Sequence, residues 1–160
     1  MTASLDQVRK SLIGLLPRLR RFARTITRNH DDADDLVEAA IERALQRYEE
    51  WRPESRFEVW MFGIVRHVWV DRVRLLQSHH GSVAPAVDSE GVADGDDDSE
   101  AETLAIHTAL LDLPEEQRMT IALVLIEGLS YAEAAQALDV SFSTLTGRLA
   151  RGREALLALL

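Results

Sequence analysis

The sequence predicts an all-α protein made of two small helical domains joined by a flexible acidic linker. Apolar residues recur at helical spacing in two blocks, residues 1–77 and 103–160, and no stretch alternates apolar and polar residues as a strand would. Between the blocks, residues 78–102 contain Gly, Ser and Pro together with eight acidic residues and no Lys or Arg. Such a segment cannot bury enough apolar surface to fold, so it predicts a linker at the domain boundary.

The first block predicts three helices. The first helix carries an apolar stripe through Leu12, Leu19 and Phe22, and Pro17 inside it predicts a kink or a new helix start. The second is predicted over about residues 31–48, with four aspartates near the positive end of its dipole. Proline in the stretch 51–55 predicts a loop, and the third helix is predicted over about 57–76.

The second block predicts a helix-turn-helix near its end. Helical periodicity is interrupted at Pro114, where one helix is expected to stop and another to start, and Gly128 is expected to cap the latter. Ser130 and Glu133 have the spacing of a capping box, and Asp139 tolerates the left-handed conformation of a tight turn. A final helix over about 142–159 would then present its first turn to a major groove. An ordinary helical hairpin with a solvated arginine face is the alternative.

Composition excludes several classes of protein. The 160 residues are 46% hydrophobic and 28% charged, which is typical of a globular chain, and no apolar run reaches the roughly 20 residues that span a bilayer. The N-terminus lacks the basic and apolar stretches of a signal peptide, and the absence of cysteine excludes disulfides and thiolate sites. We therefore expect a soluble, cytoplasmic protein. Its net charge of −9 arises almost entirely in the linker, so it does not argue against nucleic-acid binding by the two blocks.

No motif for catalysis or metal binding is apparent in the sequence. It contains no phosphate-binding glycine loop and no nucleophile elbow. The adjacent His79 and His80 do not share a helix face, and the acidic run 94–98 lacks the ligand spacing of a calcium loop. We expect no enzymatic activity, no cofactor and no metal.

Six motifs, in order, resemble regions 2 and 4 of the extracytoplasmic-function (ECF) sigma factors. Residues 17–24 (PRLRRFAR), 32–37 (DADDLV) and 60–67 (WMFGIVRH) resemble the N-terminal domain, region 2. Residues 113–118 (LPEEQR), 127–135 (EGLSYAEAA) and 148–154 (RLARGRE) resemble the C-terminal domain, region 4. The resemblance covers about residues 10–77 and 105–158, with the linker between them.

The resemblance implies a function and assigns residues to it. In that family, region 2 docks on the clamp helices of the largest subunit of RNA polymerase and opens the −10 element of promoter DNA, while region 4 reads the −35 element as duplex. Polymerase binding would fall to Asp34, Asp35, Leu36, Val37 and Glu38, and contact with the −10 region to Trp51, Arg56, Trp60, Arg66, His67, Arg72 and Arg74. Contact with the −35 region would fall to Ser143, Thr144, Thr146, Gly147, Arg148 and Arg151. Core RNA polymerase, promoter DNA and an anti-sigma factor are the partners that the resemblance implies.

Departures from the family pattern leave alternatives open. Glu38-Ala39 stands where Gln-Glu is usual, His67 where Asn is usual, and the first turns of the last helix lack a lysine that would bind phosphate. These changes would suit a sigma-like decoy, which occupies an anti-sigma factor without driving transcription. A helix-turn-helix regulator that binds duplex DNA as a dimer is a further alternative, but it leaves the first block unexplained. The tryptophans could also serve mainly as core residues rather than DNA contacts.

Overall fold

The computed structural model describes residues 3–80 and 97–160 of the chain. These residues contain α-helices and no strand, so the predicted all-α class is confirmed within them. The helices are α1 (Leu5–Thr27), α2 (His30–Gln46), α3 (Phe57–His80), α4 (Asp97–Leu111), α5 (Glu115–Ile121), α6 (Tyr131–Leu138) and α7 (Phe142–Leu159). A 3-10 turn follows α2 at Tyr48–Glu50, and a π-helical turn, Ala122–Ile126, continues α5. None of the described helices is long and apolar enough to cross a membrane.

Helix α1 runs unbroken through Pro17, so the alternative that a new helix starts there is wrong. Proline costs about 3 kcal/mol in a helix interior, because it removes a backbone hydrogen bond and crowds the preceding turn. Leu15 and Leu19, on either side of it, are both buried, and their packing offsets this cost. A capping box between Ser4 and Gln7 fixes where the helix begins.

The segment predicted as a linker is helical at both of its ends. Helix α3 extends to His80, four residues beyond the predicted end near 76, and α4 already begins at Asp97. Residues 81–96, which make up most of the predicted linker, lie outside the described residues, as do the side chains of the histidine pair. The remaining boundaries of the first block differ from prediction by no more than two residues, apart from the short 3-10 turn after α2.

The first three helices pack around aromatic residues. Helix α1 contacts both α2 and α3, and Phe22 meets Phe62 edge to face with ring centroids 5.2 Å apart. Leu36 and Ala40 of α2 are fully buried against the same core. Edge-to-face aromatic pairs are favoured by the ring quadrupoles, so this contact fixes the crossing of α1 and α3 as well as burying area.

The second block packs α5 against α7 and joins the first block in one continuous core. Helix α6 lies against α3, while α5 lies against α1. Leu123 and Leu145, both fully buried, belong to the same apolar cluster as Phe22 and Phe62. The two blocks therefore pack directly against each other, and we call this the closed arrangement. The composition of the linker gave no means to predict it.

Candidate nucleic-acid interface

The predicted helix-turn-helix is present as α6 and α7. Ser130 caps α6: its hydroxyl accepts from the Glu133 amide at 3.1 Å, and the Glu133 carboxylate accepts from the Ser130 amide at 2.9 Å. Asp139 adopts the left-handed conformation, with φ 55°, at the turn between the helices. The Val140 amide then donates to the Ala135 carbonyl at 3.0 Å, which closes the turn. The capping box and the left-handed conformation of Asp139 were both predicted from local sequence.

The first turn of α7 is exposed and rich in hydroxyl groups. Ser141 caps the helix by accepting from the Thr144 amide at 3.1 Å, and its hydroxyl donates to Thr144 Oγ1 at 2.9 Å. Ser143 and Thr144 are exposed, and Thr146 is half-buried with its hydroxyl donating to the Ser143 carbonyl. These groups are short, held by local hydrogen bonds, and placed at the helix end that enters a groove in helix-turn-helix proteins.

The arginines of α7 differ in their environment. Arg151 is exposed, whereas Arg148 is half-buried and lies 3.5 Å from the Glu116 carboxylate. Gly147 is half-buried, and Leu149 on the opposite face is buried. The exposed Arg151 therefore lies about two helical turns beyond the hydroxyl-rich first turn of α7.

The candidate polymerase-docking residues lie on α2 and divide between two environments. Asp34, Asp35 and Glu38 are exposed. Leu36 is fully buried and Val37 is 4% exposed, so both belong to the core in this arrangement. The surface that α2 offers to a partner is thus an acidic one.

Two of the three tryptophans are core residues. Trp51 is 7% exposed; its indole donates to the Ser55 carbonyl at 3.2 Å and its ring meets Phe57 edge to face. Trp69 is also buried, with its indole nitrogen hydrogen-bonded to Glu115 of the second block. Trp60 is half-buried and packs against the core. Trp51 and Trp69 therefore have the environments expected if they serve mainly as core residues rather than as DNA contacts.

Most polar candidates of the −10 region lie along grooves between α3 and the second block. Arg66 and Arg74 line one groove, which Glu116 and Arg148 line from the other side. Trp60 and His67 line a second groove, with Gln136 of α6 among the residues opposite. Arg72 is half-buried on the same helix.

The backbones of α3 and α6 come close together at Gly63. A Cβ atom placed there would lie 3.5 Å from the Ala137 carbonyl oxygen and 3.8 Å from its Cα. In this arrangement α6 therefore rests directly on the helix that carries the −10 candidates.

A buried carboxylate joins the two blocks. Glu127 has a side-chain exposure of 0% and accepts from Arg18 Nε at 3.0 Å and from Arg21 Nε and NH2 at 2.9 and 2.7 Å. Arg18 also donates to the Glu127 carbonyl at 2.7 Å. The hydrogen bonds that Arg21 donates to Glu127 raise the pKa of Arg21 above its ordinary value, although burial opposes this shift. Sequence analysis missed Glu127, because nothing in its local pattern distinguishes it from a solvated residue before a capping glycine.

The charged network continues from Arg18 to α6. Glu58 pairs with both Arg18 and Arg56, and Arg56 in turn reaches Glu133 at 2.7 Å. The pKa of Glu133 is lowered, chiefly because its carboxylate accepts the Ser130 amide, with a further contribution from Arg56. Arg56, a −10 candidate, is thus engaged by the carboxylate that completes the cap of α6.

A buried arginine supplies a second connection between the blocks. Arg118 is 3% exposed and donates to the carbonyls of Leu111, Leu113 and Ile26, the last of which lies at the end of α1. Burial lowers its pKa to about 10. The guanidinium therefore satisfies backbone carbonyls at the ends of helices from both blocks.

Two family models match the chain. The model described as the Sigma2 domain of PhyR matches residues 12–66, and the model described as Sigma-70, region 4, matches residues 103–156. The first range runs from within α1 to the middle of α3, and the second runs from within α4 to near the end of α7.

Curated relatives extend the match over nearly the whole chain. The ECF RNA polymerase sigma factor EcfG of Rhodopseudomonas palustris is 32% identical over 97% of this chain and 86% of its own length. The chain belongs to the ECF RNA polymerase sigma factors. A second member, SigM of Mycobacterium tuberculosis, is 35% identical over 89% of this chain and 71% of its own length.

Two solved structures have the same fold. The sigma factor RpoE of Bartonella quintana, solved with the anti-sigma factor NepR, aligns with a TM-score of 0.80 at 28% identity over 94% of each chain. CnrH, solved with the cytosolic domain of CnrY, aligns with a TM-score of 0.69 at 23% identity, over 98% of this chain and 89% of its own. The latter likeness supports the fold only.

Proposed function

We propose that this chain binds core RNA polymerase and directs it to a specific set of promoters. The observation that carries the proposal is the capped helix-turn-helix, whose α7 presents Ser143, Thr144 and Arg151 to solvent. Hydroxyl groups and arginine can contact phosphates and base edges in a major groove. We assign the −35 element to this face, together with Thr146, Gly147 and Arg148.

The first block would supply the polymerase and −10 contacts. The exposed acids of α2, Asp34, Asp35 and Glu38, form a surface suited to a basic partner, and we assign the clamp helices of the polymerase to it. Arg66, His67, Arg72 and Arg74 on α3 would bind the −10 region, where melted strands need cations along the backbone and surfaces on which bases stack. Trp60, which is half-buried beside Phe57, is the aromatic candidate for stacking.

An anti-sigma factor is the regulatory partner that we propose. The structurally similar sigma factor RpoE of Bartonella quintana was solved with such a protein, NepR. The closed arrangement bears on regulation, because α6 and α5 lie over the face of α3 that carries Arg66, His67 and Arg74. A partner that favours this arrangement would keep the −10 candidates from promoter DNA.

Run-off transcription tests the proposed function directly. Purified core polymerase is given a promoter library with and without the full chain, and new discrete start sites that depend on the chain are expected. Arg151→Ala should reduce initiation at those sites, while Arg153→Ala, which removes an exposed arginine elsewhere on the same helix, should not. Asp35→Asn combined with Glu38→Gln should weaken polymerase binding, with Glu49→Gln combined with Glu50→Gln as the control.

The absence of any start site would overturn the proposal, provided that the chain is folded and a control sigma factor is active in the same assay. In that case, binding of an anti-sigma factor without transcription would support the decoy interpretation. The relatives at 32% and 35% identity carry the names of sigma factors, which favours initiation.

A further inference from the structure

The helix-turn-helix ends in a pair of aromatic rings that the assignments above do not use. Phe142 is the first residue of α7 and Tyr131 is the first residue of α6. Their ring centroids are 6.2 Å apart at an interplanar angle of 44°. Phe142 is 56% exposed and Tyr131 is 37% exposed. Two large rings are therefore held side by side at the end of the motif that approaches DNA.

Phe142 is not needed to fill the core of its own domain. The residues of α7 that pack inward are Leu145, Leu149 and Gly152, which recur at helical spacing, and Phe142 lies outside the apolar clusters. Its neighbours in the first turn, Ser143 and Thr144, bear hydroxyl groups, and Thr144 adds only one small methyl group. Tyr131 limits the positions that the Phe142 ring can adopt, so less rotational freedom is lost when the ring meets a partner.

The major groove offers one apolar group to such a ring. Thymine carries a C5-methyl group at the groove surface, and no other standard DNA base does. A phenyl group at the first position of a recognition helix reaches base edges without needing a hydrogen bond. The hydroxyls beside it remain free to contact phosphates or polar base edges.

We propose that Phe142 reads a thymine of the −35 element by packing its ring on the C5-methyl group, with Tyr131 as the residue that positions the ring. The proposal rests on the function proposed above. It adds an apolar specificity contact to a face otherwise composed of hydroxyls, a glycine and arginines.

Replacement of thymine by deoxyuridine isolates this contact, because only the methyl group is removed and base pairing is kept. Each thymine of the −35 element found by run-off transcription is replaced in turn, and binding by the holoenzyme is measured. Wild type should lose about fourfold in affinity at one position, the equivalent of one methyl group. Phe142→Ala should bind the thymine template more weakly than wild type and be insensitive to deoxyuridine at that position.

Leu157→Ala is the matched control, since Leu157 is 73% exposed on the same helix but far from its first turn. It should keep the wild-type sensitivity to deoxyuridine. Phe142→Gln, which keeps a side chain of some length but replaces the ring with a polar amide, takes the place of Phe142→Ala if circular dichroism finds the latter unfolded, and the same insensitivity to deoxyuridine is expected. Tyr131→Ala should reduce the sensitivity without moving it to another position.

The proposal is overturned if wild type is insensitive to deoxyuridine at every thymine of the element, or if Phe142→Ala keeps the full sensitivity. It is also overturned if Phe142→Ala weakens binding to core polymerase while its response to deoxyuridine is unchanged, which would assign the ring to a protein contact. Failure of the proposed function is a separate result, since wild type would then yield no start site on unmodified DNA.

Discussion

Arg21 and Glu127 form a two-point ion pair across the two halves of the chain, with Arg21 Nε 2.9 Å from one carboxylate oxygen and Arg21 NH2 2.7 Å from the other. The Glu127 side chain is completely buried, although that of Arg21 is 52% exposed. Arg18 adds donors to both the side chain and the backbone carbonyl of Glu127. A buried carboxylate is tolerable only when its lone pairs are occupied, so the position of α1 over the end of α5 is fixed by these arginines.

Replacing Glu127 should destabilise the closed arrangement. Glu127→Gln leaves Arg18 and Arg21 beside a neutral amide, whose NH2 group cannot accept their hydrogen bonds. We expect the free energy of unfolding to fall by about 2 kcal/mol, measured by urea denaturation at neutral pH. Glu154→Gln, at an exposed position of α7, is the control and should change stability by less than about 0.5 kcal/mol. Equal stabilities of the two variants would contradict the role assigned to Glu127.

A disulfide between α3 and α6 should block initiation. The chain has no cysteine, and a Cβ on Gly63 would lie 3.8 Å from Ala137 Cα, so Gly63→Cys with Ala137→Cys places two thiols within bonding range. The oxidised variant should fail to support run-off transcription, because α6 then stays over the −10 candidates of α3. Reduction should restore transcription, and each single variant should be active under both conditions. Full activity of the oxidised, cross-linked protein would mean that α6 need not leave α3.

Acidification should weaken the contact of α4 with α1 through His107. Burial, with a smaller effect from the nearby His30 and Arg24, lowers the pKa of His107 below its ordinary value of about 6.5. The unfolded chain therefore takes up a proton at a higher pH than the folded protein does, and stability is lost as the pH falls below about 6.5. His107→Gln should reduce this loss between pH 7.5 and 5.5, as followed by urea denaturation. Thr108→Ala, at an exposed neighbouring position of α4, should keep the wild-type pH dependence.

Two glycines of α7 should respond in opposite directions to alanine. A Cβ at Gly147 would meet only the end of the Arg151 side chain, at 3.3 Å, and that side chain can move. Gly147→Ala should therefore raise stability by up to about 1 kcal/mol, the usual difference in helix propensity. A Cβ at Gly152 would lie 3.0 Å from Cγ1 of Ile121, which is buried, so Gly152→Ala should lower stability by about 1–3 kcal/mol.

Thermal and urea denaturation of both glycine variants test this pair of expectations. Ile121→Val, which removes the Cδ1 atom 3.2 Å from the new methyl group, should recover part of the loss in Gly152→Ala. A Gly152→Ala variant as stable as wild type would mean that α5 and α7 separate at little cost.

The helix-turn-helix could be predicted in detail because its signals are local. The capping box joins Ser130 to Glu133, three residues apart, and the turn depends on the tolerance of Asp139 for a positive φ. The burial of Leu145 and Leu149 follows from helical periodicity in the same way. The local sequence therefore suffices to predict that the first turn of α7 is exposed.

The structure of the first block was predicted less completely, because tertiary packing determines features that the local sequence pattern does not. Pro17 gave reason to expect a break, but the burial of Leu15 and Leu19 holds α1 together across it. Trp51 lies in a stretch expected to be a loop. Its indole is nonetheless buried, because its ring packs against Phe57 and its N–H donates to the Ser55 carbonyl.

The sequence by itself predicted most of the helices, the capping box of α6 and the left-handed turn at Asp139, since these depend on interactions within about four residues. Only the tertiary structure decided how the two blocks pack together, because the contact depends on residues such as Arg21 and Glu127, which are separated by 106 positions in the chain. A charged residue that is solvated and one that is buried with partners look alike in a sequence. What distinguishes Glu127 is the desolvation of its carboxylate, which depends on the arginines that α1 brings to it.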